Sequence, residues 1–225
     1  MIENNLSLAT HVVITGGSRG IGRQMAEMAL ERGWRVTVTT RDGNAPEGAA
    51  QAVIDVTDHA ALADFAAALG PVDILINNAG IIGPARQSTL DMDFAGFAQT
   101  LAVNTLAPLA VAQALLPNLR AAPAARILSV SSLMACMGYA KSDRIAYRAS
   151  KAALNKVMQG LATDLSPEGI AVALVDPGWV RTDMGGPEAD LDPETVAAGI
   201  LTLAERLTLQ DTGNFFRYDG QQRAF

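Results

Sequence analysis

The sequence predicts an α/β fold: one doubly wound domain whose seven-stranded, mainly parallel sheet is flanked by helices on both faces. Three observations predict it. Short apolar runs alternate with helical patterns along the whole chain, which is the mark of βαβ units and a parallel sheet. A glycine-rich turn, Gly16-Gly17-Ser18-Arg19-Gly20-Ile21-Gly22, joins the first run to the first helix. The 225 residues, 49% of them hydrophobic, suffice for one sizeable core, and no repeat or low-complexity tract marks a second domain. Residues 1–225 are therefore read as a single domain.

The elements follow in order. His11 to Thr15 is a buried strand, and a helical pattern begins after the glycines with Met25, Ala26, Ala29 and Leu30. Strand, glycine turn and helix together make a phosphate cradle. Glycines let the backbone approach a ligand, and the helix start presents free N–H groups and a positive dipole end. Its place after the first strand is that of the phosphate turn expected in a dinucleotide-binding Rossmann fold, which makes Gly16, Ser18, Arg19, Gly20, Ile21 and Gly22 the candidate contacts. The spacing is Gly-x-x-x-Gly-x-Gly, which differs from the Gly-x-Gly-x-x-Gly fingerprint. Trp34 to Thr40 is the second strand. No acid ends it to bond the adenosine ribose, and Arg41 follows at once. An Arg there accommodates a 2′-phosphate, and Arg19 adds a second cation. Thr40 and Arg41 thus favour NADP(H) over NAD(H), unless Asp42 serves the ribose in another loop conformation.

Residues 42–51 read as a loop and 52–54 as a short third strand, with Asp55 and Val56 following at the adenine edge. Thr57 or Asp58 caps a helix running to about Leu69. Val72 to Ile76 is the fourth strand. The Asn77-Asn78-Ala79-Gly80 turn lies at its carboxyl end, where such sheets bind ligands, so Asn78, Ala79 and Gly80 face the cofactor; the asparagines also suit a plain turn. A long helical region from about Asp91 to Leu119 contains Asn104 among apolar residues. Pro108 lacks the N–H that would bond the Asn104 carbonyl, which frees that carbonyl. Arg126 to Val130 is the fifth strand, ending in Ser131-Ser132, and a loop runs from Leu133 to Arg144. Ile170 to Val175 is the sixth strand, stopped by Pro177 and Gly178. Gly185, Gly186 and Pro187 make 183–192 a candidate mobile lid. Asp192 and Pro193 start the last helix, and Asn214 to Tyr218 closes the chain as a short strand.

Between the fifth and sixth strands lies the stretch with the most chemistry, Ala146-Tyr147-Arg148-Ala149-Ser150-Lys151-Ala152-Ala153-Leu154-Asn155. It is Ala-rich, without Gly or Pro, and reads as a helix. Residues four apart share a helix face, so the Tyr147 hydroxyl and Lys151 ammonium meet. A phenol titrates near ~10, and a neighbouring cation draws that down until the group exchanges protons near neutral pH. The same spacing also fits an ordinary amphipathic helix with a half-buried Tyr and a snorkelling Lys.

Composition excludes other classes. The net charge of −6 argues against nonspecific binding to nucleic acid or anionic membrane. No apolar run is read as approaching the ~20 residues of a membrane span. Met1-Ile2-Glu3-Asn4-Asn5 lacks the basic region of a signal peptide, and the single Cys136 fits a reducing compartment, so the cytoplasm is expected. His11 and His59 are far apart in sequence, and no metal site is expected.

Taken together, Thr15-Gly16-x-x-x-Gly20-x-Gly22, Asn77-Asn78-Ala79-Gly80, Asn104, Ser132, Tyr147-x-x-x-Lys151 and Pro177-Gly178 resemble the short-chain dehydrogenase/reductase family over nearly the whole chain. The Tyr147 stretch, Pro177-Gly178-Trp179-Val180-Arg181-Thr182-Asp183-Met184 and Tyr218-Asp219-Gly220 are most similar to its C-factor-like and sniffer-type carbonyl reductase branch. The resemblance implies that Tyr147 donates a proton to a substrate carbonyl as hydride arrives from the nicotinamide. It implies that Lys151 lowers the Tyr147 pKa and holds the nicotinamide ribose, and that Ser132 bonds the carbonyl. It further implies that the Asn104 backbone carbonyl holds a relay water, and that the backbone around Pro177, Gly178 and Val180, with the Thr182 hydroxyl, orients the carboxamide. Ser131 competes with Ser132 for the serine place; Gly138, six residues on, favours Ser132. Asp176 departs from the branch, which often has His there, and the sequence offers no role for it.

Leu133, Met134, Met137, Trp179 and Met184 suggest a hydrophobic aldehyde or ketone, unless several are merely core. Cys136 reads as packing. A second reading is a cofactor-sensing regulatory protein of the C-factor type, against which an intact Ser132, Tyr147 and Lys151 set argues. The family often forms dimers and tetramers, and Ala149 and Ala153 would permit close helix packing, although some relatives are monomers.

Overall fold

Five consecutive buried residues form β1 (His11–Thr15) because both faces of this strand are covered. The computed structural model describes residues 9–225; the reading of residues 1–5 lies outside them. β1 pairs in parallel with β2 (Arg35–Thr40) on one side and with β4 (Ile74–Asn77) on the other. β3 (Ala50–Val53) extends the sheet beyond β2. Beyond β4 come β7 (Arg126–Val130), β8 (Ala171–Asp176), β9 (Phe215–Arg217) and β10 (Gln222–Arg223). The order β10-β9-β8-β7-β4-β1-β2-β3 gives eight strands where the sequence reading has seven. The extra strand is the two-residue β10, which folds back antiparallel on β9; two residues show no periodicity. A separate hairpin, β5 (Gln87–Ser88) and β6 (Asp91–Met92), lies outside this sheet.

Period-two alternation sends successive side chains of β1 to opposite faces. Val12 and Ile14 join Met25, Ala29, Val196 and Ile200 in one apolar core, under α1 (Gly20–Glu31) and α7 (Pro193–Arg206). Val13 joins Leu75, Val111, Leu154 and Val172 in the other, under α2 (His59–Ala67), α4 (Ala107–Ala114) and α6 (Ile145–Leu165). Asp58 caps α2 by accepting from the Ala60 and Ala61 N–H groups. Asp192 precedes α7 but its carboxylate pairs with Arg181 and makes no cap bond.

The helical region read as continuous from Asp91 is divided. Asp91–Met92 is β6, Asp93 caps α3 (Phe94–Leu101), a π-turn spans Ala102–Leu106, and α5 (Leu116–Arg120) follows α4. The π-turn shifts the bonding to five-residue spacing, seen in the Ala107 N–H to the Ala102 carbonyl. Phe94–Ala114 nevertheless makes one helical span of 21 residues, long and apolar enough to cross a membrane, contrary to the expectation from composition. Here Ala107, Val111 and Ala112 are buried in the second core.

Chain order reverses between β1 and β4, since β2 and β3 lie to one side of β1 and the later strands of this sheet lie to the other. Loops leaving the two strands diverge there and open a cleft at their carboxyl ends. Close packing at Gly22 of α1 holds the glycine turn against this point. A Cβ at Gly22 would lie 2.2 Å from the Gly16 carbonyl oxygen and 2.4 Å from Asn78 Nδ2. Gly22→Ala should therefore destabilise the protein by about 1–3 kcal/mol, overpacking outweighing the helix gain of about 1 kcal/mol. A lowered urea midpoint at unchanged slope is the expected result.

Candidate active site

The cleft has a volume of about 560 Å³ and runs from the β2–β3 edge to the start of α6. Gly16, Ser18, Arg19, Gly20, Ile21 and Gly22 form one wall, Thr40, Arg41, Asp55 and Val56 one end, and Asn78, Ala79 and Gly80 the floor. Tyr147, Lys151, Pro177 and Thr182 lie towards the other end. Gly178 and Val180 do not line it. Gly178 is a turn residue at φ +76° whose N–H points to Asp176, and Val180 is buried against Leu191, which pairs with it.

The residues present fit a dinucleotide. No side chain caps the N-terminus of α1, so its first-turn N–H groups remain available, and Gly20 at φ +57° brings bare backbone to the wall. Thr15 Oγ accepts the Asn78 and Ala79 N–H groups, and Asn78 Nδ2 donates to the Thr15 and Gly16 carbonyls, so the β4 turn and the glycine turn are stitched together. Asp42 turns into its own loop to accept the Asn44 N–H at 3.2 Å, leaving Arg41 as the residue of that pair on the cleft. Arg19 reaches across to Asp183 at 3.1 Å, an exposed pair. Asp55 accepts from the backbone and hydroxyl of Thr57, which together hold its carboxyl below the usual range.

At the far end the catalytic candidates gather. Lys151 is buried and donates to the Val130 carbonyl at 2.7 Å. Its Nζ lies 5.9 Å from the centre of the Tyr147 ring. Burial lowers the Lys151 pKa to about 8. The Tyr147 phenol is pushed up to about 12, mainly by burial and further by the Asp176 charge, while the Ser132 hydrogen bond and Arg144 draw it down. The expected depression by Lys151 is thus not what this geometry gives: desolvation dominates, and the ammonium is directed at a backbone carbonyl.

The two serines differ in their partners. Ser131, which lines the cleft, donates its hydroxyl to Asn155 Oδ1 at 2.5 Å, whereas Ser132 Oγ accepts the Met134 N–H at 3.1 Å and draws the Tyr147 phenol down. Asn104 is fully buried in the π-turn. Its side chain accepts from the Ile81 N–H and donates to the Ile81 carbonyl, both at 2.8 Å, and donates to Ser150 Oγ at 3.0 Å. A Cβ on Gly80 would lie 3.3 Å from Asn104 Oδ1 and 3.7 Å from Lys151 Nζ, so these three residues meet. The sequence reading missed Gln87, whose Oε1 accepts the Tyr147 N–H at 3.2 Å; only a buried polar residue in a hairpin marks it. It also missed Ile81, Ile82 and Val103, which line the cleft.

Met184 lines the cleft and is partly exposed, whereas Met137, Trp179 and Tyr139 are exposed but do not line it. Leu133 and Met134 are half-buried. The 183–192 segment is tied down at several points: Trp179 Nε1 donates to the Gly185 carbonyl, Arg181 donates to the Ala189 carbonyl, and Arg181 pairs with Asp192. Cys136 makes a long contact with the Phe225 carbonyl at 3.6 Å. His11 is buried between the Pro71 carbonyl and Thr37, away from the cleft.

The family model for short chain dehydrogenases matches residues 10–191. The chain belongs to the short-chain dehydrogenase/reductase family. It is an NAD(P)-dependent oxidoreductase of that family. C-signal of Myxococcus xanthus is 44% identical over 155 residues, covering 68% of this chain and 92% of that protein. The carbonyl reductase Sniffer of D. melanogaster superposes with a TM-score of 0.89 at 28% identity, over 96% of this chain and 100% of that one. The NADPH-bound carbonyl reductase from chicken fatty liver gives a TM-score of 0.87 at 27% identity, over 96% and 99%.

A buried lysine has a signature in stability. Its folded pKa of about 8 lies below the ~10.4 of an unfolded Lys, so the unfolded chain binds the extra proton between those values. Stability should rise with pH from about 8 towards 10, and Lys151→Met should lose that rise. Urea titrations of both proteins at pH 7, 8, 9 and 10 measure it.

Proposed function

We propose that the protein reduces small hydrophobic aldehydes or ketones to alcohols with NADP(H). The observation that carries this reading is the meeting of Tyr147 and buried Lys151, with Nζ 5.9 Å from the ring centre, in the same cleft as the glycine turn and the apolar Met184. The nicotinamide cofactor, bound along the glycine turn, supplies the hydride. Tyr147 gives its proton to the carbonyl oxygen, and its high pKa keeps that proton in place until the oxygen becomes basic. Ser132 offers the second hydrogen bond to the same oxygen. Lys151, titrating near 8, replaces the proton at working pH, with the Asn104 carbonyl as the expected relay towards solvent. Pro177 and Thr182 orient the nicotinamide end, and 183–192 covers it.

Arg41, with Arg19 once released from Asp183, supports the preference for a 2′-phosphate. The NADPH named for the chicken enzyme supports it too. The net charge fits a small-molecule partner better than nucleic acid or membrane, and a cytoplasmic place agrees with the single Cys136. Exposed Phe94 and Leu106 support a homo-oligomer, dimer or tetramer, with a monomer as the alternative. Similarity to C-signal favours the second reading, a regulatory protein that binds dinucleotide with little turnover.

NADPH and NADH titrations, followed by oxidation with a panel of hydrophobic aldehydes and ketones, test the proposal. Tyr147→Phe should lower turnover by about 10²–10⁴-fold and leave cofactor binding within a few-fold. Arg41→Ala should weaken NADPH binding by about tenfold and leave NADH unchanged. Tight binding with no turnover on the whole panel would favour the regulatory reading, and tighter NADH binding would overturn the role of Arg41.

A further inference from the structure

Asp176 ends β8 and is buried, with only 1% of its surface exposed. The β7–β8 ladder stops beside it, at Val130 and Val175, with the Ser131 N–H donating to the Val175 carbonyl. Past that point the two strands give way to separate loops, one holding Ser132 and the other Pro177. A single carboxylate oxygen bridges them. Asp176 Oδ1 accepts the Leu133 N–H at 3.0 Å and the Gly178 N–H at 3.1 Å. The other oxygen, Oδ2, lies 2.9 Å from Arg223 Nε of β10. That N–H is not aligned on the oxygen, so charge holds the contact. A buried carboxylate left without its cation is costly, and so is a buried N–H left without an acceptor.

We propose that Asp176 and Arg223 are a positioning pair that locks the Ser132 loop to the Pro177–Gly178 turn and couples both to the C-terminal strand. The pair makes no contact with reacting atoms; it sets the distance between the hydroxyl that bonds the substrate and the turn that orients the nicotinamide. This rests on the reductase reading for its catalytic consequence, though the lock itself is a property of the fold. The pair also bears on Tyr147. The charged groups near it are Lys151 on its own helix, Arg144 before it, and Asp176 on the sheet, which Arg223 pairs; Asp176 raises the phenol and Arg144 lowers it.

Four variants of the full chain test this: Asp176→Ala, Asp176→Asn, Arg223→Gln and the Asp176→Asn/Arg223→Gln double. Amide hydrogen exchange is read first, because it needs no turnover. Asp176→Ala should speed exchange at Leu133 and Gly178 together by tenfold or more and leave the β8 amides of Val172 and Leu174 unchanged. Asn alone turns an amide N–H₂ towards the guanidinium and should loosen both loops. The double variant replaces that donor–donor clash with an amide pair and should recover most of the protection. If Asp176→Ala does not fold, Arg223→Gln and the double variant give the same comparison. Unchanged loops, or loosening spread evenly over the sheet, would overturn the proposal.

Kinetics then separate positioning from loss of stability. In alcohol oxidation, the rate rises as Tyr147 loses its proton. The normalised curve should move to lower pH in Asp176→Asn, which removes a negative charge, and to higher pH in Arg223→Gln, which leaves that charge uncompensated. Asp176→Ala should lower kcat by about tenfold while raising the cofactor KM. Equal losses with no opposed pH shifts would overturn the catalytic part. Absence of turnover in the unmodified protein would count against the reductase reading, and exchange would still decide the lock.

Discussion

Much of the active end of this protein depends on one buried ammonium, Lys151, held by the Val130 carbonyl. Taking a cation out of water is unfavourable unless its donors are met, and one carbonyl at 2.7 Å meets only part of that demand. The surrounding groups are arranged accordingly. Gly80 leaves room near Nζ, Asn104 fixes the neighbouring chain by gripping Ile81 at both its N–H and its carbonyl, and Ser150 joins Asn104 to α6. The π-turn places Asn104 inside, where a regular helix would carry its bonding register straight past. A low lysine pKa and a high tyrosine pKa follow from the same burial.

The wider pattern is that polar side chains take over where the β-ladder stops. Every backbone N–H that leaves the sheet needs an acceptor. At β1 and β4 the acceptor is Thr15 Oγ, serving Asn78 and Ala79; at the π-turn it is Asn104; at β7 and β8 it is Asp176. Each of these residues fixes a loop that borders the cleft or follows a strand towards it. Apolar packing supplies the platform through the two cores on either face of the sheet. Hydrogen bonds then give the loops on that platform a defined geometry, which a site based on proton transfer requires.

Much of this was legible in the sequence. β1 and β7 are found with the boundaries read from their apolar runs, because a strand covered on both faces must be apolar throughout. The glycine turn and the Tyr147–Lys151 helix were legible because their spacings are local. The β5–β6 hairpin and β10 were not, since two-residue strands arise from tertiary pairing. Nor was the division of the long apolar helix, in which residues 94–119 carry no charge to mark a break. The Ser131–Asn155 bond was not legible either, since its partners are 24 residues apart in sequence. Gln87 was invisible because its partner is a backbone amide distant in sequence.

Asp176 shows why the departure from the branch pattern need not be damaging. A carboxylate at the end of a central strand would be destabilising if alone, and apolar neighbours could not offset its charge. Here two N–H groups converge on one oxygen and a guanidinium from β10 neutralises the other. The pair is therefore linked: an acid at the end of β8 requires a base on the last strand, and neither makes sense without the other. Phe225, stacked on Phe215 at 5.7 Å, and the Cys136 contact hold the last residues against the same loop. A charge that would weaken the sheet in isolation instead specifies where two active-site loops stand relative to each other.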